Sequence, residues 1–596
     1  LNNQKSIAVL PFVNMSSDIE NEYFCDGITE EIINALTKVK GLKVIARTSS
    51  FAFKGKDIDI RIIGEQLNVD TILEGSIKKF QEKVRITAQL IDVKEGIHYW
   101  SKRYDRELID IFDLEDEISL AIADEVRNNF GHFDIEDTLV SKKTNSLKAY
   151  DNYLKGRYFF FKWNLPAIEQ AISFFKESIK YDSEYSEPYF SIGLCYSLLA
   201  AWGYLPKQET FSKATNYLNL GAEINSESVD GYFALAAKEF WGNWNSKLAY
   251  DYLQKALNIN PKSSEVLDFM AEIHRSTGDF KKAIKLNEQA LLLNPLSANA
   301  NYTRSTLHYL NNEAGESLKY INKGLELDAD FSLFHNLKAL VLIQLNEREE
   351  LLYFLDNENK IPSLKKIALA LFDLYNKVEN ASLKINNIIG ELKTLKSPLL
   401  YPWDIYLNLY SNEKEKAISL LIDKVERRMG QVVWYKYDPF LKPIKEEILQ
   451  KEELKSNFVF NAARFHQNEQ NDSSKKDYFE KEEINNLIDN LNTIMESQHL
   501  YLNQDLNLRS LAKQVNLHPN KLSWLLNDCI GYNFNDFVNS YRLNHFKTIA
   551  LDPKNSHLTI LGLAYDSGFN SKSVFNTFFK KTEGITPSKW VQKHSK

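Results

Sequence analysis

The sequence predicts a multidomain chain: an N-terminal α/β sandwich, an all-α repeat solenoid, and a C-terminal all-α domain with two helix-turn-helix units in tandem. Three observations carry that prediction. Short apolar runs alternate with helix-periodic stretches near the start, a pattern of small and large residues recurs at 34 residues in the middle, and paired short-helix patterns follow a polar break near the end.

At 596 residues the chain is too long for one core, since domains run to roughly 100–200 residues. Hydrophobic residues at 44% and charged residues at 26% exclude the disordered, collagen-like and membrane classes. The net charge of −7 hides an asymmetry: from Asp505 onward there are 12 Lys and Arg against 6 Asp and Glu, a net of +6 that leaves −13 on residues 1–504. A phosphate-binding surface is therefore expected at the C-terminal end. Cys25, Cys195 and Cys529 lie far apart, with no CxxC pair and no clustered histidines, so neither a metal, a cofactor nor a disulfide framework is expected. The longest apolar stretches, such as Tyr196 to Leu205, reach about half of the roughly 20 residues that span a bilayer. No membrane partner is expected, and the cytoplasm is the expected compartment. The first residue is Leu rather than Met, which leaves a missing leader or anchor open.

Residues 5–128 form the first unit. SIAVLPFV, residues 6–13, reads as a buried strand ended by a polar loop. Gly27 to Val39 reads as a helix, with Ile28, Ile32, Ile33 and Leu36 at helical spacing. Leu42 to Ala46 is a second strand and Ile58 to Leu67 a second helix. Thr71 to Ile77 and Val84 to Val93 make a strand pair, and Asp110 to Asn128 closes the unit as a helix. The runs IAVLPF, GITEEIINAL, TSSFAFKGK, LEGSIKK, VRITAQLIDV and YDRELIDIFDLEDEI resemble the TolB-N-like or FlgO-like domain. The resemblance implies a module found beside tetratricopeptide repeats and cyclase or winged-helix partners, and it assigns no catalytic residue. Asp26, Glu30 and Glu31 are expected to be solvated helix carboxylates, because a catalytic role would need a pocket and a partner base.

Residues 147–356 change to helical periodicity with a repeat. Asp230 to Pro261 and Ser264 to Pro295 align at a shift of 34. Ala236, Ala237, Phe240, Ala249, Leu253, Ala256 and Pro261 match Met270, Ala271, His274, Ala283, Asn287, Ala290 and Pro295 in register. The alanines let paired helices approach and the proline ends the second helix. This resembles a tetratricopeptide array, which implies a concave face for a protein or peptide partner; a spacer or homodimer platform is the open alternative. His274 and His308 share one repeat position and are expected to pack rather than bind metal. Residues 357–463 continue as irregular helices, and 464–482 read as a polar linker.

Residues 483–596 carry the recognition chemistry. Leu508, Leu511, Ala512 and Val515 lie on a short helix, Asn516-Leu517-His518 forms a turn, and a second helix begins at Pro519, where a missing N–H is tolerated. Phe534 to Leu551 links to a second unit: Ile560, Leu563 and Ala564, a turn at Gly568, and a helix from Lys572 to Lys581 capped by Ser571. The text GLAYDSGFNSKSVFNTFFKKTEGITPSKW, with YRLNHFKTIAL before it, resembles the AraC/XylS-type regulators. That resemblance implies double-stranded promoter DNA as partner, two recognition helices entering successive major grooves about one turn apart. By position in the motif, Asn520, Ser523 and Trp524 are expected at base edges from the first helix, and Lys572, Ser573, Asn576 and Thr577 from the second. Lys521, Arg542, Lys580 and Lys581 are expected at phosphates. Leu522, Phe575 and Phe579 are expected in the core. Trp524 departs from the family pattern, which carries a basic or polar group there; packed against protein, it would make the first helix orient more than read.

The sequence thus points to a non-enzymatic transcription regulator whose N-terminal and repeat modules sense a partner. The rival is an interaction scaffold anchored on DNA. No phosphate loop, nucleophile elbow or metal cluster supports an enzyme.

Overall fold

The computed structural model describes residues 5–16, 18, 21–162, 164–357, 362–392, 401–451, 454, 481–555 and 557–594. Of the expected linker, residues 464–480 lie outside the described residues, as do 455–463 of the irregular extension.

In chain order the first unit comprises β1 (Ser6–Val9), β2 (Val13–Asn14), α1 (Glu22–Thr37), β3 (Lys43–Val44), α2 (Arg47–Phe51), α3 (Ile60–Leu67), β4 (Thr71–Phe80), β5 (Lys83–Asp92), β6 (Ile97–Glu107) and α4 (Ile111–Phe130). The sheet order is β3-β1-β4-β5-β6, with β2 beside β4. β1 runs parallel to β3 and β4, while β4, β5 and β6 are antiparallel neighbours. Alternation along β1 separates two layers: Ile7 and Val9 join the core under α1 and α4, and Ala8 joins the core closed by α3.

β6 was not anticipated. It is a charged edge strand, with most side chains exposed, so it lacks the alternation that announces a half-buried strand. Charge on an edge discourages pairing with another chain.

The α1 carboxylates are a correction. Asp26, Glu30 and Glu31 are buried rather than solvated, because the helix Leu147–Phe160 packs on α1 and cations converge there. Arg157 and Arg47 pair with Glu30, Lys143 with Glu31 at 3.1 Å, and Lys54 with Asp26. Burial alone would raise the Glu30 carboxyl; Arg157 and Arg47 overcome it and hold it below the usual carboxylate range. Tyr150, Tyr153 and Leu154 share one apolar cluster with Ile28, Ile32 and Ile118. The α/β unit and the first helix pair are therefore joined by a common core.

The repeat region is a succession of helix pairs. Ser264–Thr277 with Phe280–Leu293, Ala298–Leu310 with Ala314–Leu327, and Ser332–Leu345 with Arg348–Asn357 begin 34 residues apart. Ala236, Ala237, Ala249, Ala256, Ala271, Ala283 and Ala290 are wholly buried where paired helices meet. His274 is buried edge-on to Tyr250, and His308 stacks on Tyr320 with Glu313 on its Nδ1, the packing roles expected of them. First helices of successive pairs touch one another and so line the inner face. Part of that face is covered by the chain itself. Tyr309 donates to Asp438 (2.9 Å), Tyr437 donates to the Thr277 carbonyl (2.8 Å), and the Arg275 guanidinium lies 4.6 Å from the Trp434 ring.

Candidate nucleic-acid interface

The C-terminal unit is built around two small cores strung on one helix. The linking helix, Phe534–Ala550, gives Phe534, Phe537 and Val538 to the first core and Leu543 and Phe546 to the second. A rigid rod thus fixes the separation of the two helix-turn-helix units.

In the first unit, the helix Leu508–Gln514 starts with a reciprocal cap: Asn507 Oδ1 accepts from the Ser510 amide, and Ser510 Oγ accepts from the Asn507 amide. Asn516 turns the chain at φ +55°, and the Leu517 amide returns to the Ala512 carbonyl. The reading helix Pro519–Trp524 follows, capped by His518, and continues through a wider turn, Leu525–Ile530. Ala512 is wholly buried, as close helix crossing requires.

The second unit repeats the design. Thr559 caps Ile560–Asp566, and Ser571 Oγ accepts from the Val574 amide to cap Lys572–Glu583. Gly568 joins them at φ +91°, and a Cβ there would lie 2.3 Å from the Tyr501 carbonyl oxygen. Both conformation and close approach demand glycine.

The expected contact residues divide. Lys572, Ser573, Asn576 and Thr577 are exposed on the second reading helix, while Phe575 and Phe579 are buried beneath them, and Lys580 and Lys581 are exposed at its C-terminal end. Lys581 also reaches Asp536 of the linking helix at 3.0 Å. On the first helix Lys521 and Asn520 are half-buried, whereas Ser523 and Trp524 are buried and Leu522 sits in the core. Base contact from Ser523 and Trp524 in this arrangement is therefore corrected: protein covers both.

Arg542 is a second correction. Expected at a phosphate, it is 7% exposed and inside the domain. Nε donates to the Tyr501 carbonyl (2.8 Å) and Nη2 to the Asn503 carbonyl (2.9 Å). Burial pulls its pKa down to about 10. It clamps the loop against which Gly568 packs, and so fastens one unit to the other.

Three residues missed by sequence reasoning touch the α/β unit: Arg509 pairs with Asp124, and Asn533 and Asn535 donate to Asn129 at 3.2 and 2.9 Å. Only the basic charge of Arg509 near a helix start could have flagged any of them.

Residues 511–593 match the family model described as a helix-turn-helix domain. The C-terminal unit is a helix-turn-helix domain. The N-terminal unit, likened above to the TolB-N or FlgO kind, matches over residues 3–118 the model of the second domain of HilA/YgeH-like transcriptional regulators. Among relatives, "Putative adenylate cyclase 3" of Rhizobium meliloti (strain 1021) is 36% identical over 239 residues, 40% of this chain and 40% of that one. An uncharacterised HTH-type transcriptional regulator of Staphylococcus aureus (strain COL) is 29% identical over 102 residues, 17% of this chain and 13% of that one. The chain thus spans well under half the length of these relatives. Among solved structures, YrrB, a TPR protein with an unusual peptide-binding site, is 18% identical over 31% of this chain and 90% of its own, with a TM-score of 0.21. A domain of the HilA/YgeH-like regulator kind and a helix-turn-helix domain thus flank the helical repeats. Among the described residues, no helix is long and apolar enough to cross a membrane, and no group of His, Cys, Asp or Glu has metal-binding geometry.

Proposed function

We propose that this chain is a sequence-specific transcription regulator of AraC/XylS type, whose two reading helices address successive major grooves of promoter DNA. The observation that carries the reading is the second helix, Lys572–Glu583. It buries Phe575 and Phe579, exposes Lys572, Ser573, Asn576 and Thr577 on the opposite side, and keeps Lys580 and Lys581 for phosphates. Lys and Asn offer donors for purine edges, and the net +6 of the C-terminal segment supplies attraction to the backbone.

The α/β unit and the array act as the sensing part. A partner is a protein or peptide that meets the array's remaining surface or displaces residues 430–444 from its inner face; a homodimer is an alternative arrangement. In this reading the part shared with the protein named as a cyclase serves regulation rather than catalysis, which the match of residues 3–118 to a transcriptional-regulator domain supports.

The test is selection of random DNA by the whole chain and by Lys572→Ala and Asn576→Ala variants at physiological salt. The reading requires a defined motif that each substitution weakens by about 1–3 kcal/mol at one position. Binding that is salt-sensitive but motif-free would leave the chain a scaffold anchored on DNA.

A further inference from the structure

The first reading helix is not presented as the second one is. Its N-terminal end lies against the C-terminal turn of α4 and the segment that follows. Arg127 Nη1 donates to Asn520 Oδ1 (2.6 Å), and Asn520 Nδ2 donates to the Ile135 carbonyl (3.2 Å), so the side-chain amide expected at a base edge is engaged at both atoms. Around this centre, Asp124 takes Arg509, Asp137 stands 3.7 Å from His518, and Asn129 accepts from Asn535 and, through its carbonyl, from Asn533.

Apart from the Arg127 guanidinium, the groups facing the first unit are of kinds a nucleic acid also presents. Carboxylates face a guanidinium and an imidazole, as phosphates would, and the Ile135 amide, which donates to Asn520 Oδ1 at 3.3 Å, and the Ile135 carbonyl address Asn520 as a base edge would. These contacts are all polar. Among the described residues, each apolar cluster lies wholly before or wholly after the 455–480 segment, and none joins α4 to the reading helices. By contrast, α4 shares its apolar core with the first helix pair of the array. Polar interfaces between domains come apart more readily than shared apolar cores.

We propose that the α/β unit is a cover that competes with DNA for the first reading helix, so that the chain in this state reads with its second helix alone. Release of α4 restores the first. This inference rests on the assignment of the two reading helices under Proposed function.

The experiment compares motifs selected from random DNA by the whole wild-type chain and by whole chains carrying Asp124→Lys or, more mildly, Asn129→Ala. Hydrogen exchange of the amides of residues 518–524 is measured on the same proteins without DNA. The wild type is expected to select one short word. The variants are expected to select two words about one helical turn apart, with loss of the second word costing them about tenfold or more in affinity, and to lose protection over 518–524. Identical motifs from all three proteins, or protection untouched by both cover variants, overturns the cover. If no protein selects any motif while protection still falls in the variants, the two surfaces touch as described and it is the DNA-reading assignment that fails, taking the competitive role with it.

Discussion

Replacing Arg542 by Met separates two accounts of this side chain that differ in their physics. Met keeps most of the aliphatic length and removes the guanidinium. In the structure that guanidinium satisfies two loop carbonyls, of Tyr501 and Asn503, at 2.8 and 2.9 Å. Hydrogen bonds from a charged donor contribute about 1.5–3 kcal/mol each, and relief of a buried cation offsets part of that, so a net loss of about 2–4 kcal/mol is expected. The loss falls on the joint between the two helix-turn-helix units rather than on charge facing DNA. DNA affinity is measured as a function of salt, alongside thermal unfolding. A phosphate contact removed would shallow the slope of log affinity against log salt by about 0.9. The clamp predicts an unchanged slope, a lower unfolding midpoint, and faster exchange at residues 501–503. A slope reduced by about one with an unchanged midpoint would refute the clamp.

Gly568→Ala should destabilise the C-terminal unit by about 2 kcal/mol or more, since the new Cβ meets a backbone oxygen at 2.3 Å and φ is +91°; denaturant unfolding that matches wild type would count against the joint. Glu30→Gln leaves Arg157 and Arg47 buried without their shared counter-charge, and a loss of about 3–5 kcal/mol is expected by chemical denaturation, with less than 1 kcal/mol contradicting it. Burial, with Lys282 adding to it, lowers the His274 pKa to about 4 from an ordinary 6.5. Between those values the unfolded chain binds a proton that the folded one refuses, so stability is whole above pH 6.5 and falls toward pH 4, by at most about 3 kcal/mol. His274→Phe, the residue at the equivalent repeat position 240, should lose less in unfolding midpoint than wild type between pH 7.5 and 5; equal losses would refute the assignment.

Local signals were legible wherever the deciding interaction is local. Pro519 at a helix start, Ser571 as a cap, Gly568 at a positive φ and the alanines at 34-residue spacing each report a constraint set within a few residues. What escaped was set from far along the chain. The α1 carboxylates look like a solvated face until Arg157 and Lys143 arrive from the repeat side. Arg542 looks like a surface cation on a long helix until the 501–503 loop folds over it. The contact of Asn520 with Arg127 joins positions 393 residues apart, and no periodicity records it. β6 failed for the opposite reason: its edge charges erased the local pattern.

The two kinds of interface set the route by which an array could govern the reading of DNA. Residues 147–160 share a core with α1 and α4, so a partner that shifts the first repeats carries α4 with them as one body. The signal need not travel through the polar stretch between the array and the DNA-binding unit. It acts where Arg127, Asp124 and Asn129 meet Asn520, Arg509 and Asn535. Polar contacts of that kind net about 0.5–1.5 kcal/mol each, which puts the whole cover at a few kcal/mol. About 5.5 kcal/mol of differential affinity moves a two-state equilibrium from 1:99 to 99:1, so one partner of ordinary strength is enough to open it. An apolar interface of similar extent would hold the first helix shut against any such partner. That no apolar cluster of the described residues is shared across this contact keeps a switch of this kind energetically accessible.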